Sequence, residues 1–216
     1  EQILLLIDTV APMGSITCPA DVSFELNSDC TYDLGAPDPA APWGAPTVSA
    51  LDNCDDAPEL TLSHTDGAPQ YACGDAGSMT IQRTHTLISE DRCGNADTVT
   101  CVQTIELLDV TGPVITFDAP LPQNIFACFA DTDTSISALG ALTATAMDAC
   151  GGEVDIVVTT SDEVTVTCDG DDDAPEGSTT LDRTFHITAT DCGGNTSTVV
   201  HVQTVNFFDV EAPSLT

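Results

Sequence analysis

The feature that most constrains this chain is that it repeats itself at an interval of about 100 residues, so any fold must be built twice from units of that size. Ile7-Asp8-Thr9-Val10-Ala11-Pro12, Leu108-Asp109-Val110-Thr111-Gly112-Pro113 and Phe208-Asp209-Val210-Glu211-Ala212-Pro213 are three copies of one junction. In the same register Arg83-Thr84 matches Arg183-Thr184, Gly94-Asn95 matches Gly194-Asn195, and Val102-Gln103-Thr104-Ile105 matches Val202-Gln203-Thr204-Val205. Leu51-Asp52-Asn53-Cys54 aligns with Met147-Asp148-Ala149-Cys150. Residues 12–110 and 111–210 are therefore two whole modules. The register makes residues 1–11 the last strand and linker of a preceding or partner module, and 211–216 the start of a further one. A piece of a longer array is expected.

Within each module the segments Thr80–Ile88, Thr98–Leu107, Asp155–Thr160, Val164–Thr167, Thr180–Thr188 and Ser197–Phe207 are rich in Val, Ile, Thr and Phe. Clusters of Gly, Asn, Asp and Pro bound them, which is the punctuation of strands. Helical periodicity with caps is absent from the pattern. About seven strands per module predict an all-β chain of two tandem immunoglobulin-like β-sandwiches. Residues 91–95 and 191–195 read as the hairpin turns joining the last two strands, with Gly and Asn supplying positive φ.

Charge narrows the partners. The chain carries Asp+Glu 35 against Lys+Arg 3, a formal charge of -32, and its only fixed cations are Arg83, Arg92 and Arg183. Nucleic acid needs cationic groups to displace counterions, and an anionic bilayer surface repels the same sign. Yet 42% of residues are hydrophobic, enough to build cores rather than a solvated tail. No apolar run approaches the ~20 residues that span a bilayer.

Ten cysteines without a CxxC pair point to disulfides, and so to an extracellular or cell-surface location. Six fall in the first module and four in the second. The two missing from the second are Cys18 and Cys101, the latter aligned with His201. Joint loss is the behaviour of a bonded pair, so Cys18–Cys101 is expected to join the first strand to the last. Sandwich geometry sets loops at Cys54 and Cys93 at the same end. This suggests Cys54–Cys93 and Cys30–Cys73, with Cys150–Cys192 and Cys128–Cys168 in the second module.

Cys18-Pro19, Asp52-Asn53-Cys54, Arg83-Thr84, the run from Asp91 through Cys93-Gly94-Asn95, Cys101 and the Asp109-Val110-Thr111-Gly112-Pro113 linker resemble hyalin-repeat (HYR-like) modules. The second copy departs by lacking the Cys18/Cys101 pair and by moving its hairpin cysteine one place, to Cys192. The resemblance covers both modules and implies an immunoglobulin-like fold, adhesion or extracellular scaffolding, and no catalytic residues.

Candidate chemistry is confined to the loops. Asp52, Asp55, Asp56, Asp91, Asn95 and Asp97 are expected at one end of module 1, and Asp148, Asp155 and Asp191 at that of module 2. Clustered carboxylates and loop carbonyls suit Ca²⁺, although no segment has EF-hand spacing and the rival reading, a solvated, turn-forming acidic surface that gathers cations diffusely, is the stronger. No cofactor is required by the sequence. Asn195-Thr196-Ser197 is a glycosylation sequon in the hairpin. His64, His85, His186 and His201 lack ligand spacing and read as structural. Arg83 and Arg183, at one repeat position, are expected to make a local ion pair or to pack their stems across the sheet. Trp43 is expected to plug the core edge.

The expected function is a structural repeat unit of an extracellular stalk, filament or surface fibre, whose partners are neighbouring modules or copies. The alternative is an adhesin module that binds glycan or protein through its loops. No catalytic constellation argues for an enzyme.

Overall fold

The computed structural model describes residues 7–127, 129, 132–167 and 178–210. The chain divides into two compact units, with the boundary between Val110 and Thr111.

The first unit holds β1 (Met13–Thr17), β2 (Val22–Glu25), β3 (Thr47–Leu51), β4 (Glu59–Asp66), β5 (Gln70–Cys73), β6 (Ala76–Glu90) and β7 (Ala96–Leu108). β1 pairs antiparallel with β3. The other sheet runs β2-β7-β6-β4, with β5 also on β6. The β4-β6-β7 neighbourhood is the C-F-G order of an immunoglobulin sandwich, and β1 with β3 supplies its A and B strands. The chain is all-β and immunoglobulin-like in this sense.

Strict alternation makes β6 the spine of the unit. Met79, Ile81, Arg83, His85, Leu87 and Ser89 all face inward because side chains at every second position share one face. A slip of one residue would turn the whole set to solvent, so the apolar members fix the register and carry Arg83 and His85 into the core with them. Ile105 and Leu107 of β7 close on the same face. Each such buried aliphatic side chain contributes roughly 1.5–3 kcal/mol.

The second unit repeats the plan with β8 (Val114–Asp118), β9 (Gln123–Ile125), β10 (Thr143–Met147), β11 (Val154–Thr167), β12 (Ser178–Asp191) and β13 (Thr196–Phe208). Its sheets are β10-β8 and β11-β12-β13-β9. Two features differ from the sequence expectation. The segments Asp155–Thr160 and Val164–Thr167 are one strand, because Ser161-Asp162-Glu163 continues the ladder and places Asp162 opposite Arg183. A single helical turn, α1 (Ile136–Leu139), buries Leu139 against Leu181, Val205 and Phe207. One turn is too short to leave a helical period in the sequence.

Cys18 and Cys101 are bonded, with Cα atoms 5.7 Å apart. Cys30, Cys73, Cys150 and Cys192 are also disulfide cysteines. The expected Cys54–Cys93 bridge is corrected: both are free, exposed thiols. Their loops are joined instead by Asp55, whose Oδ2 accepts the Arg92 backbone N–H at 3.1 Å. The expected Cys128–Cys168 pairing lies outside the described residues.

Where module 1 has its bridge, module 2 has an aromatic contact. His201 occupies the Cys101 position, with ring centroids 5.7 Å from Phe117 and 6.3 Å from Phe185. Phe185 in turn sits where module 1 has His85, and the cross-strand pairs His85↔Cys101 and Phe185↔His201 are equivalent.

His85 is fully buried, and burial holds its pKa below the ordinary value. The Gln103 amide oxygen, 3.4 Å from Nε2, opposes that shift; Arg83 and His64 reinforce it, and Asp66 opposes it. A base that binds its proton less readily when folded contributes stability that is present above its unfolded pKa of about 6.5 and lost as pH falls through the depressed folded value. The melting temperature of module 1 is therefore expected to drop on acidification from about pH 7 to 5. His85→Gln should remove most of that slope in scanning calorimetry; an unchanged slope would refute the assignment.

Candidate functional site

The acidic end of module 1 is assembled by two turns and the chain at Asp8. In the β6–β7 hairpin, Asp91 Oδ1 accepts the N–H groups of Cys93 and Asn95, both at 2.8 Å. Its Oδ2 accepts Asn95 Nδ2 at 2.7 Å. Gly94, at φ 84°, makes the turn possible. The Asn95 side chain first, then the backbone donors, hold the Asp91 carboxyl below the usual range. Asn95 Nδ2 also donates to the Asp8 carbonyl at 3.2 Å, which ties the segment before β1 to the hairpin.

After β3, Asp52 Oδ1 caps a turn by accepting the N–H groups of Cys54 (2.8 Å) and Asp55 (2.7 Å). Its Oδ2 has no hydrogen-bond partner and no solvent exposure. Carboxylate oxygens of Asp8, Asp52 and Asp91 lie within 4.8 Å of one another. Three anionic groups that close repel strongly unless a cation or proton intervenes. Beside them the Cys54 thiol is pushed up, by loss of hydration first and then by the Asp8 carboxylate.

The structure thus selects among the sequence candidates. Asp52 and Asp91 converge, and Asp8, from the segment expected only as a strand and linker, joins them. Asp55 is buried and committed to Arg92, whose guanidinium is 3.6 Å from its Oδ1. Asp56 is solvent-facing, 3.9 Å from the same guanidinium. Asp97 accepts the Gly14 N–H at 3.2 Å, away from the cluster. In module 2, Asp148 caps the Cys150 N–H at 2.7 Å, and Asp155 lies within β11 opposite Thr190. Asp191 holds Asn195 through Oδ1 to its N–H (2.8 Å) and Oδ2 to Nδ2 (2.9 Å).

That last contact bears on the sequon. Asn95 makes the same two bonds in a module where no sequon exists, so the turn alone accounts for Asn195. The nitrogen that would carry a glycan faces Asp191.

The repeated arginines form the other built feature. Arg83 forks onto Asp66 through Nε (2.6 Å) and Nη2 (2.8 Å), and Nη2 reaches the Gly35 carbonyl at 3.0 Å. Arg183 does the same to Asp162 (2.8 and 2.7 Å) and to the Thr134 carbonyl (2.7 Å). The neighbouring Gln103 Nε2 donates to the carbonyls of Ala20 and Trp43, both at 2.8 Å, and Gln203 Nε2 to Leu139 at 2.9 Å. These buried polar groups pin the long loops to the central hairpin. Trp43 is half-buried and donates Nε1 to Ala36 at 3.0 Å, closing the proline-rich loop.

An open groove of about 320 Å³ on module 1 is lined by Tyr71, Met79, Glu106 and Leu108 among others. No helix among the described residues is long and apolar enough to cross a membrane.

No protein-family model matches the chain, so the hyalin-repeat likeness rests on its motifs alone. No curated protein matches either. Among solved structures the chain is similar to Drosophila N-cadherin EC1-4, at 16% identity over 93% of this chain and 50% of that one, with a TM-score of 0.39. It is also similar to the protocadherin GammaB4 extracellular domain (11% identity, 94% and 34% covered, TM-score 0.36). A third is protocadherin Gamma B2 extracellular cadherin domains 3-6 (10%, 95% and 53%, TM-score 0.36). The chain spans about half the length of the first and third of these and a third of the second. At such scores no property of those proteins passes to this chain.

Proposed function

We propose that the chain is a non-catalytic spacer, two modules of an extracellular stalk or surface fibre. The observation that carries this reading is that both modules spend the same buried groups on internal bracing. The Arg–Asp forks, the Gln loop pins and the Asp–Asn hairpin locks recur in register, as a repeated structural unit requires. Bonded cysteines support an oxidising compartment. The linker from Asp109 to Pro113 leaves little slack between β7 and β8. Immunogold imaging of the native surface tests the proposal: label spaced along fibres or stalks is expected, and label dispersed over the surface would overturn it.

The adhesin reading has one observation in its favour, the groove beside Tyr71. Saturable binding of a glycan or peptide by the isolated chain, abolished by Tyr71→Ala, would replace the spacer reading.

Within the spacer reading, the Asp8, Asp52 and Asp91 cluster is the place for Ca²⁺. Ca²⁺ takes six to eight oxygens, so three carboxylates would be completed by water or loop carbonyls. Millimolar CaCl₂ is expected to raise the melting temperature of module 1 beyond NaCl at equal ionic strength, and Asp52→Asn should erase the difference. Equal effects of the two salts would leave the cluster as plain acidic surface.

A further inference from the structure

The two modules close their sheets in the same way but differ in what holds the closure. In module 1, β2 runs parallel to β7, with Val22↔Ile105 through Glu25↔Leu108 in register and Leu26 N–H on the Leu108 carbonyl at 2.8 Å. In module 2, β9 runs parallel to β13, from Val205↔Gln123 to Phe207↔Ile125. Parallel pairing of an early strand with the last one has a mechanical consequence. Tension on the chain pulls β2 toward its N-terminal end and β7 toward its C-terminal end, so the ladder is loaded in shear and its bonds must fail together.

Cys18 and Cys101 lie equally far upstream of the Val22↔Ile105 pair, so the disulfide extends the same ladder covalently. Force entering module 1 crosses at Cys18 to Cys101 and leaves along β7. The 83-residue separation between them is off the load path. Module 2 has no such short circuit. All four of its cysteines fall between Cys128 and Cys192, so β9 precedes every possible bridge and β13 follows every one. Its closure rests on the short β9–β13 ladder, the Asn206 to Asn124 bond at 3.1 Å and the Gln123 to Leu139 bond at 2.7 Å.

We propose that the chain is a two-stiffness element in which module 1 is covalently locked against extension and module 2 is the part that yields under load. This deepens the spacer reading and rests on it for its biological use, but the mechanics belong to the purified chain. A fibre of such pairs would lengthen by a limited amount and recover, because disulfide loops inside module 2 cap the chain it releases.

Single-molecule pulling of the two-module chain between end handles tests this. Without reductant, one unfolding step is expected, from module 2. With the expected Cys150–Cys192 bridge intact it frees about 57 residues, ~20 nm at ~3.5 Å per residue. Module 1 frees only about 15 residues, ~5 nm, comparable to its own folded length. Adding dithiothreitol to molecules already folded should lengthen both steps to ~35 nm, less the folded length. Cys18→Ala with Cys101→Ala should add a second step without reductant. Two long steps from the untreated native chain, or a double variant with the same single step, would overturn the proposal. Imaging that finds no fibre would instead remove the spacer reading and leave these step lengths standing.

Discussion

Replacing Cys18 and Cys101 together with alanine is expected to lower the stability of module 1 by about 3–4.5 kcal/mol while leaving module 2 unchanged. The bridge spans 83 residues, and closing a loop of that size in the unfolded chain accounts for the upper figure through lost chain entropy. Module 2 lives without this bridge by packing His201 against Phe117 and Phe185, a contact that stabilises the folded state only. Calorimetry of the double variant should therefore split into two transitions. A single transition at the native temperature would show that the bridge constrains nothing. The same variant separates stability from extensibility, since it is also the one that should gain a step under tension.

Asp66→Ala is expected to cost module 1 about 2–4 kcal/mol, the second-largest effect of a local change. Arg83 has no exposed surface, and removing its partner leaves an uncompensated guanidinium inside the core. The figure is set below that for a wholly buried pair because the Asp66 side chain is 34% exposed, where solvent screens it. Arg83→Met in the Asp66→Ala background should recover most of the loss, because the buried charge is then gone. Urea unfolding of the two single variants and the double closes the cycle; additive losses would refute coupling. Arg83 first, by hydrogen bonding, holds the Asp66 carboxyl below its ordinary value, and Arg183 does the same for Asp162. Stability from these pairs is present above an unfolded carboxylate pKa of about 3.9 and is lost as pH falls through the lower folded values.

What could be read in advance depended on whether a contact stays in register. Arg83 and Arg183 share a repeat position and were legible as structural residues, by ion pairing or by packing of their stems. Their partners were not, because Asp66 lies 17 residues before Arg83 and Asp162 lies 21 before Arg183. The connection between the two strands differs in length, so the acids superpose at the 96-residue offset of Cys54 and Cys150 and the arginines at an offset of 100, and no single register shows the pair. The hairpin turns were legible from Asp, Gly and Asn at fixed offsets, since the bonds that make them are local. The acidic cluster was half legible. Asp52 and Asp91 stood out as loop acids, but only folding brings Asp8 to them, through the Asn95 amide on its carbonyl. Asp55 was counted with them and is instead spent on Arg92, a pairing that depends on how two loops from distant parts of the chain meet.

The sequence by itself determined the module size, the strand-rich class, the long hairpin and the pairing of Cys18 with a last-strand cysteine, because each follows from period, turn chemistry or repeat arithmetic. Tertiary structure alone decided that Cys54 and Cys93 stay apart as thiols, that the arginines fork onto Asp66 and Asp162, and that early strands join the last strands in parallel. Those outcomes depend on distances between segments far apart in the chain. Side-chain period fixes which face a residue takes; it does not fix which residue from another strand will stand opposite.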